Sequence, residues 1–291
     1  MNLLWVVLIL GLSACAPYKK SAYDGESGSP GLSDIDPGQG PAGETPPLPT
    51  PGRIPAPSPG PDVRLPSSAD PFDQPWKVKE TAIVIDAYQG NSIDWDKMAT
   101  DKRVAGVLHR SSIGLQEDTQ YKARTAIAKS RGYLWGAYHL GRSGDPIAQA
   151  DFFLNVVGSD PETLWVLDLE DFSNPSMMSA SDAVKFMNYL FNKTGRIPVI
   201  YANHSVTQAL NQAVGNEPVF KKSKLWYARF RSNIPDFPSG IWSSYFLWQF
   251  SSEINCTTTG QCLYNVPGTK FDMDVNVFFG TKGELSAAWK N

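Results

Sequence analysis

The chain has 291 residues, and its 26 Lys and Arg against 29 Asp and Glu leave a formal charge of −3, which excludes the basic character of a nucleic-acid binder. Hydrophobic residues make up 42% of the sequence, enough for a sizeable core, so global disorder is excluded. No run reaches the length of an ordinary membrane-spanning helix, and three Cys and three scattered His without zinc-site spacing imply neither a metal nor a cofactor.

Residues 3–12 form an apolar run broken only by Gly11, the length of a signal-peptide core. The run leads into Leu12-Ser13-Ala14-Cys15, which resembles the bacterial lipobox, although no Lys or Arg precedes it. Residues 1–15 are therefore expected to be a lipoprotein signal peptide, with Cys15 lipidated. The protein would be exported and anchored to the bacterial membrane facing the periplasm. Ala16, rather than Asp, after the cysteine suits the outer membrane of a Gram-negative cell. Residues 16–76 hold 15 Pro and 8 Gly in 61 positions and read as a disordered tether, because so little apolar surface cannot offset the entropy of ordering. The remaining cysteines, Cys256 and Cys262, flank a turn-rich loop. They are expected to pair in an oxidising compartment; the alternative is two free thiols.

From residue 77 to 291 the pattern is that of one α/β domain. Strands are expected at 82–85, 104–109, 133–139, 164–169 and 198–202. Helices are expected at 93–103, 118–131, 147–157 and 179–192, with another from Val206. Helix 179–192 is the clearest, with Ala183, Phe186, Met187 and Leu190 on one face, and Thr194-Gly195 stops it. Strands near 225–227, 245–250 and 275–279 follow with fewer helices between them. This alternation implies a largely parallel sheet, closed as an irregular TIM-like β/α barrel with fewer helices in its C-terminal third.

The chemistry lies in the carboxylates. In Trp165-Val166-Leu167-Asp168-Leu169-Glu170, alternation on a strand projects Asp168 and Glu170 to one side and Leu167 and Leu169 to the other. Asp86 ends the first strand, and Asp272 and Asp274 open the last. Barrel enzymes place their sites where strands end in this way. Crowded carboxylates raise one another's pKa, so one stays protonated as an acid while another is ionised, the division of labour that glycoside hydrolysis needs.

The surrounding motifs resemble glycoside hydrolase family 25, the muramidase family. They run in order from about residue 82 to 278: Asp86-Ala87-Tyr88-Gln89-Gly90 with Ile93-Asp94-Trp95, Gly136-Ala137-Tyr138-His139, Ala148-Gln149-Ala150, Asp168-Leu169-Glu170, Tyr201-Ala202-Asn203, Leu225-Trp226-Tyr227-Ala228, Trp248-Gln249-Phe250 and Asp274-Val275-Asn276-Val277-Phe278. The segment between Asp86 and Gln89 is shorter than in the family, and Ile113-Gly114 stands where Glu-Gly is common. The resemblance implies a lysozyme that hydrolyses the β-1,4 bond between N-acetylmuramic acid and N-acetylglucosamine in peptidoglycan glycan strands. Glu170 would be the general acid. Asp168 would assist through the substrate's 2-acetamido group, and Asp86 and Asp274 would hydrogen-bond the sugar.

Sugar rings pack on flat aromatic faces. Tyr88, Tyr138, Tyr201, Trp226 and Trp248 lie near strand ends and are candidate substrate contacts, joined by Gln249 through its motif. Arg110 offers a cation either to a site carboxylate or to a surface ion pair, and His139 reads as structural. A monomer is expected. Two other readings stand beside the muramidase: a non-catalytic, lipid-anchored peptidoglycan-binding protein, and a glycosidase of other N-acetylhexosamine specificity.

Overall fold

The computed structural model describes residues 70–290. The expected signal peptide, the lipidated Cys15 and the tether as far as residue 69 lie outside the described residues. The strands are β1 (Ala82–Ala87), β2 (Val104–Ile113), β3 (Gln116–Glu117), β4 (Leu134–Leu140), β5 (Leu164–Leu169), β6 (Val199–Asn203), β7 (Leu225–Ala228), β8 (Leu247–Ser251) and β9 (Asp274–Phe278). The helices are α1 (Trp95–Met98), α2 (Tyr121–Ser130), α3 (Pro146–Val157), α4 (Ala180–Thr194), α5 (His204–Ala213), α6 (Pro218–Lys221) and α7 (Lys282–Ala288).

Eight strands close into a barrel in the order β1-β2-β4-β5-β6-β7-β8-β9, and β3 adds a short antiparallel spur to β2. β1 through β8 run parallel around the ring, while β9 is antiparallel to both its neighbours. The fold is thus mixed α/β with a closed eight-stranded barrel, and the TIM-like description holds only approximately. β1 and β5 are buried at every position because one face fills the barrel and the other meets the outer layer, which is why they read as apolar runs.

Helix ends follow local chemistry. Asp145 caps α3, with Pro146 in its first turn, and Ser179 caps α4, which stops at Gly195 in the left-handed region (φ 74°). Helix α4 buries Ala183, Phe186, Met187 and Leu190, as its periodicity implies. The helix expected over 93–103 is only the single turn α1. Thr100 Oγ1 donates to Lys97 O (2.6 Å), and Asp101 Oδ1 accepts from Arg103 N (3.0 Å), so local side chains take over the backbone groups and turn the chain into β2.

A strap of chain stands where C-terminal helices are missing. No α-helix separates β7 from β8 or β8 from β9. Over that gap lies a strap of residues 70–77. Phe72 packs on Phe237 and Tyr245, and Phe72 O accepts from Ile234 N (2.7 Å). Trp76, 3% exposed, stacks on Phe250 at 3.9 Å and meets Trp248 edge-on. The folded unit therefore begins upstream of the boundary expected at 77. At the opposite end of the barrel from the strand C-termini, Trp289 enters the interior after α7 and its Nε1 donates to Trp135 O (2.9 Å). Gly106 and Gly136 leave room for that ring: a Cβ at Gly136 would lie 2.3 Å from Leu108 Cδ2 and 3.3 Å from Trp289 Cζ2.

Candidate active site

Alternation along the strands sorts the barrel interior into layers. Ala82, Val84, Leu108, Leu164, Val166, Val199, Leu247 and Phe278 form its apolar floor with Trp226 and Trp289. One step further toward the strand C-termini the same faces carry Asp86 of β1, Tyr138 of β4, Asp168 of β5, Tyr201 of β6 and Gln249 of β8. β9 runs the other way, so its first residue, Asp274, stands opposite Asp86 in register. Glu170 follows β5 and is exposed at the rim, while Asp86 and Asp168 are buried. The structure thus brings Asp86, Asp168, Glu170 and Asp274 to one mouth, with Leu167 and Leu169 buried in the outer core cluster.

Gln249 organises the floor of this mouth. Its Nε2 donates to Asp86 Oδ2 (2.8 Å) and more weakly to Asp274 Oδ2 (3.5 Å), and its Oε1 accepts from the Tyr201 hydroxyl (2.7 Å). Asn276, one step deeper than Asp274, donates to Val84 O (3.0 Å) and accepts from Trp226 Nε1 (2.6 Å). Asn203 donates to Glu170 O (2.8 Å) and fixes the start of the rim loop. Asp86 Oδ1 and Asp168 Oδ1 are buried without a hydrogen-bond partner among the described residues. Buried acceptors of this kind are rare in folded proteins and suit a ligand that donates.

The electrostatics follow from burial and crowding. Asp86 is pushed well above the usual carboxylate range, first by burial and then by Asp274. Asp168 is raised by burial, then by Glu170 and Asp86, with Arg110 opposing. Asp274 is pushed up to about 8 by burial, Glu253, Glu170 and Asp272. Although Glu170 is open to solvent on the rim, the mass of protein around its carboxyl raises it, against the pull of Arg110 and Arg142. Such a cluster holds protons near neutrality and supplies both an acid and an anion. Among the described residues no group of three or more His, Cys, Asp or Glu has the arrangement to hold a metal ion.

The aromatic candidates divide. Tyr138 and Tyr201 line the mouth and both pack edge-on against Trp226. Trp226 itself is 1% exposed and lies beneath them, so it supports the site rather than offering a face to a sugar. Trp248 does not reach the mouth: it is fully buried on the outer side of β8, packed on Trp76, with its Nε1 donating to Arg229 O (2.7 Å). The alternation that turns Gln249 inward turns Trp248 outward. Tyr88 lies on the rim beneath the Arg110 guanidinium, 4.9 Å from its ring centre. His139 is buried between Ser112 Oγ (2.8 Å) and Gln149 Oε1 (3.2 Å), and burial holds its pKa down at about 4, so it is a neutral core group. Cys256 and Cys262 form a disulfide in the loop between β8 and β9.

The site residues that sequence reasoning passed over are Asn276, Asn203 and Asp118. Asn276 was open to discovery, since it shares the inward face of β9 with Asp274. Asp118 reads locally only as a residue turning into α2 through Gln120 N, because its other side-chain partners, Arg110 and Gln89, come from other segments.

The family model for Glycosyl hydrolases family 25 matches residues 83–258. The chain belongs to this family. It is 30% identical over 171 residues to an autolytic lysozyme from Clostridium acetobutylicum, a match covering 57% of this chain and 49% of that protein, so it spans about half the length of that curated relative. Among solved structures it is similar to a family 25 lysozyme from Aspergillus fumigatus, with a TM-score of 0.57, 25% identity and coverage of 72% of this chain and 100% of the other. It also shares its fold with the bacterial lysozyme from Streptomyces coelicolor, with a TM-score of 0.58, 24% identity and coverage of 72% and 96%. The matched segment contains three of the four mouth carboxylates, and Asp274 lies beyond it.

Proposed function

We propose that this family 25 chain is a muramidase, hydrolysing the β-1,4 bond between N-acetylmuramic acid and N-acetylglucosamine in peptidoglycan. The observation that carries the reading is the convergence of Asp86, Asp168, Glu170 and Asp274 on one barrel mouth. Glu170 is the mouth carboxylate open to solvent at the rim, and the protein around its carboxyl raises its pKa, the direction that favours the protonated form an acid needs. It donates that proton to the departing oxygen and later takes one from the incoming water. Asp168, one step deeper, accepts from the N–H of the substrate's 2-acetamido group and orients its carbonyl oxygen toward the anomeric carbon. Asp86 and Asp274, held by Gln249, take hydrogen bonds from the sugar at the cleavage point. Tyr138 and Tyr201 wall that subsite. In the cell, the reading is of an exported monomer lipidated at Cys15, with the Pro-rich segment letting the domain reach the wall.

The test is to incubate the full chain, beside its Glu170→Gln variant, with purified peptidoglycan and to identify the reduced products by mass spectrometry. New N-acetylmuramic acid ends with the wild type, falling by about 10²-fold or more in the variant, support the reading. New N-acetylglucosamine ends replace the bond assignment. Release of neither, with both proteins bound to the wall, replaces catalysis by binding. The mass of the N-terminal peptide from membrane-grown protein tests the lipid on Cys15.

A further inference from the structure

Arg110 and Asp118 form an arrangement that the carboxylate set does not by itself require. Arg110 follows Leu108 by two positions on β2 and is the register partner of Tyr138, so it shares the inward face at the level of the mouth. Its Nε donates to Asp118 Oδ2 (3.1 Å), and its guanidinium lies over the Tyr88 ring. Among the described residues its one ion pair is with Asp118.

Asp118 is itself fixed on every side. Its side chain is fully buried, its Oδ2 also accepts from Gln89 N (2.9 Å), and its Oδ1 accepts from Gln120 N (3.0 Å). Its own N donates to Ser111 O (2.9 Å). Gln89 Oε1 in turn accepts from Thr119 N and Oγ1, both at 3.0 Å, so the loop after β1 is locked to the segment before α2. Behind Arg110, His109 Nδ1 lies 2.7 Å from Arg110 O, and its Nε2 lies 3.0 Å from Arg124 Nη1. The Arg124 donor assigns a neutral ring protonated at Nδ1. Burial keeps His109 down at about 4, so its ring adds no charge there, and the Arg124 guanidinium on that side is itself held by Tyr88 O (2.8 Å) and Asn91 O (2.6 Å).

We propose that Asp118 is a positioning residue of the reaction: it ties the Arg110 guanidinium down against Tyr88, so that the cation lies beside the mouth carboxylates without closing an ion pair on Glu170. The proposal rests on the reading of Glu170 as the acid. An acid that must deliver a proton is poorly served by a direct Arg partner, which would hold it ionised. A carboxylate that must stay anionic, as Asp168 must, is helped by a cation at a distance. A fixed tether meets both needs, and a free guanidinium does not.

The groups facing Glu170 are Arg110 from β2, Arg142 after β4, and the carboxylates Asp168 and Asp171 on its own segment, with Asp86 and Asp274 across the mouth. Arg110 lowers both Glu170 and Asp168. Removing its charge raises both, and the bell-shaped rate profile moves toward alkaline pH. Removing Asp118 instead releases the cation onto the mouth, and the alkaline limb, where Glu170 loses its proton, moves down. The two substitutions shift the profile in opposite directions.

The experiment measures kcat and KM for reducing-end release from purified peptidoglycan across the pH range. It uses the full chain as wild type, Arg110→Gln, Asp118→Asn, the double variant, Arg110→Lys and Glu170→Gln. The expected alkaline limb rises by about one pH unit in Arg110→Gln and falls by about one in Asp118→Asn, and the double variant follows Arg110→Gln. If Asp118→Asn fails to fold, the test falls to Arg110→Gln, whose limb must rise, while Arg110→Lys, whose ammonium can still donate to Asp118, keeps the wild-type limb. A limb that stays at its wild-type position in Asp118→Asn or in Arg110→Gln, whatever happens to the rate, reduces Asp118 to a structural role. A downward shift that persists in the double variant means Asp118 does not act through Arg110. An active wild type with an inert Glu170→Gln and unmoved limbs sinks the tether alone, whereas activity surviving in Glu170→Gln removes the reading beneath it.

Discussion

Replacing Trp76 by alanine tests whether the strap belongs to the fold. The ring is 3% exposed, stacked on Phe250 at 3.9 Å with an interplanar angle of 6°, and set edge-on to Trp248 at 5.4 Å. It covers the outer side of β8, where no helix does, so its removal uncovers Phe250 and Trp248. Truncating a buried tryptophan costs about 3–5 kcal/mol, which includes the ring-pair preference of about 0.5–1.5 kcal/mol per contact. For a domain of this size each kcal/mol moves the thermal midpoint by roughly 2–4 °C, so the expected fall is about 6–20 °C. The assay is reversible urea and thermal unfolding of the full chain, followed by near-ultraviolet circular dichroism. Well below the midpoint the activity should persist, because Trp76 lies outside the barrel and touches no mouth residue. A chain started at residue 77 should lose as much stability, and one started at residue 70 should not. A loss below about 1 kcal/mol in Trp76→Ala would refute the reasoning and return the strap to the tether.

Two more perturbations probe the barrel itself. Asp274 binds its proton in the folded state up to about pH 8 but releases it near 3.8 when unfolded, so the native state holds more protons between those values and stability falls as pH rises through them. Asp274→Asn removes that penalty. The variant should gain about 1 kcal/mol or more over the wild type at pH 8 relative to pH 4 in urea unfolding, and an equal difference at both pH values contradicts the assignment. Gly136→Ala places a Cβ 2.3 Å from Leu108 Cδ2 beneath Trp289. It should cost about 1–3 kcal/mol by overpacking, so an unchanged unfolding midpoint would mean that the plugged end of the barrel is looser than described.

What the sequence made legible was whatever depends on period. Alternation in Leu167-Asp168-Leu169-Glu170 put the two carboxylates on one side, and continuous apolar runs marked β1 and β5 because both of their faces are covered. The same alternation sends Trp248 outward once Gln249 faces in, so strand parity outweighs the sugar-stacking chemistry that a tryptophan near a strand end suggests. Helix α1 stops at Met98, short of the expected 103, because the hydroxyl of Thr100 and the carboxylate of Asp101 make the turn, and such side-chain bonds leave no periodic trace. Trp76 was hidden by its neighbours: composition averages over a window, and one aromatic anchor at the end of a Pro-rich stretch does not alter the average. Asp118 was invisible for a different reason, since its hydrogen bonds reach β2, the loop after β1 and the start of α2 together, and only the assembled barrel brings those segments into contact.

The place of β9 in the ring decides when the mouth can form. β1 finds its second neighbour only in β9, at the far end of the folded unit, and until that pairing forms the ring is an open sheet with two unsatisfied edges. Asp274 is the first residue of that strand, so the fourth carboxylate and the closing of the ring arrive in one event. Contacts so distant along the chain form slowly, because a long loop must be closed before any of them rewards it. A partly emerged or clipped chain could hold Asp86, Asp168 and Glu170 and still have no mouth. The β1–β9 pairing thus acts as a latch, and the four-carboxylate mouth is withheld until the seam is sewn.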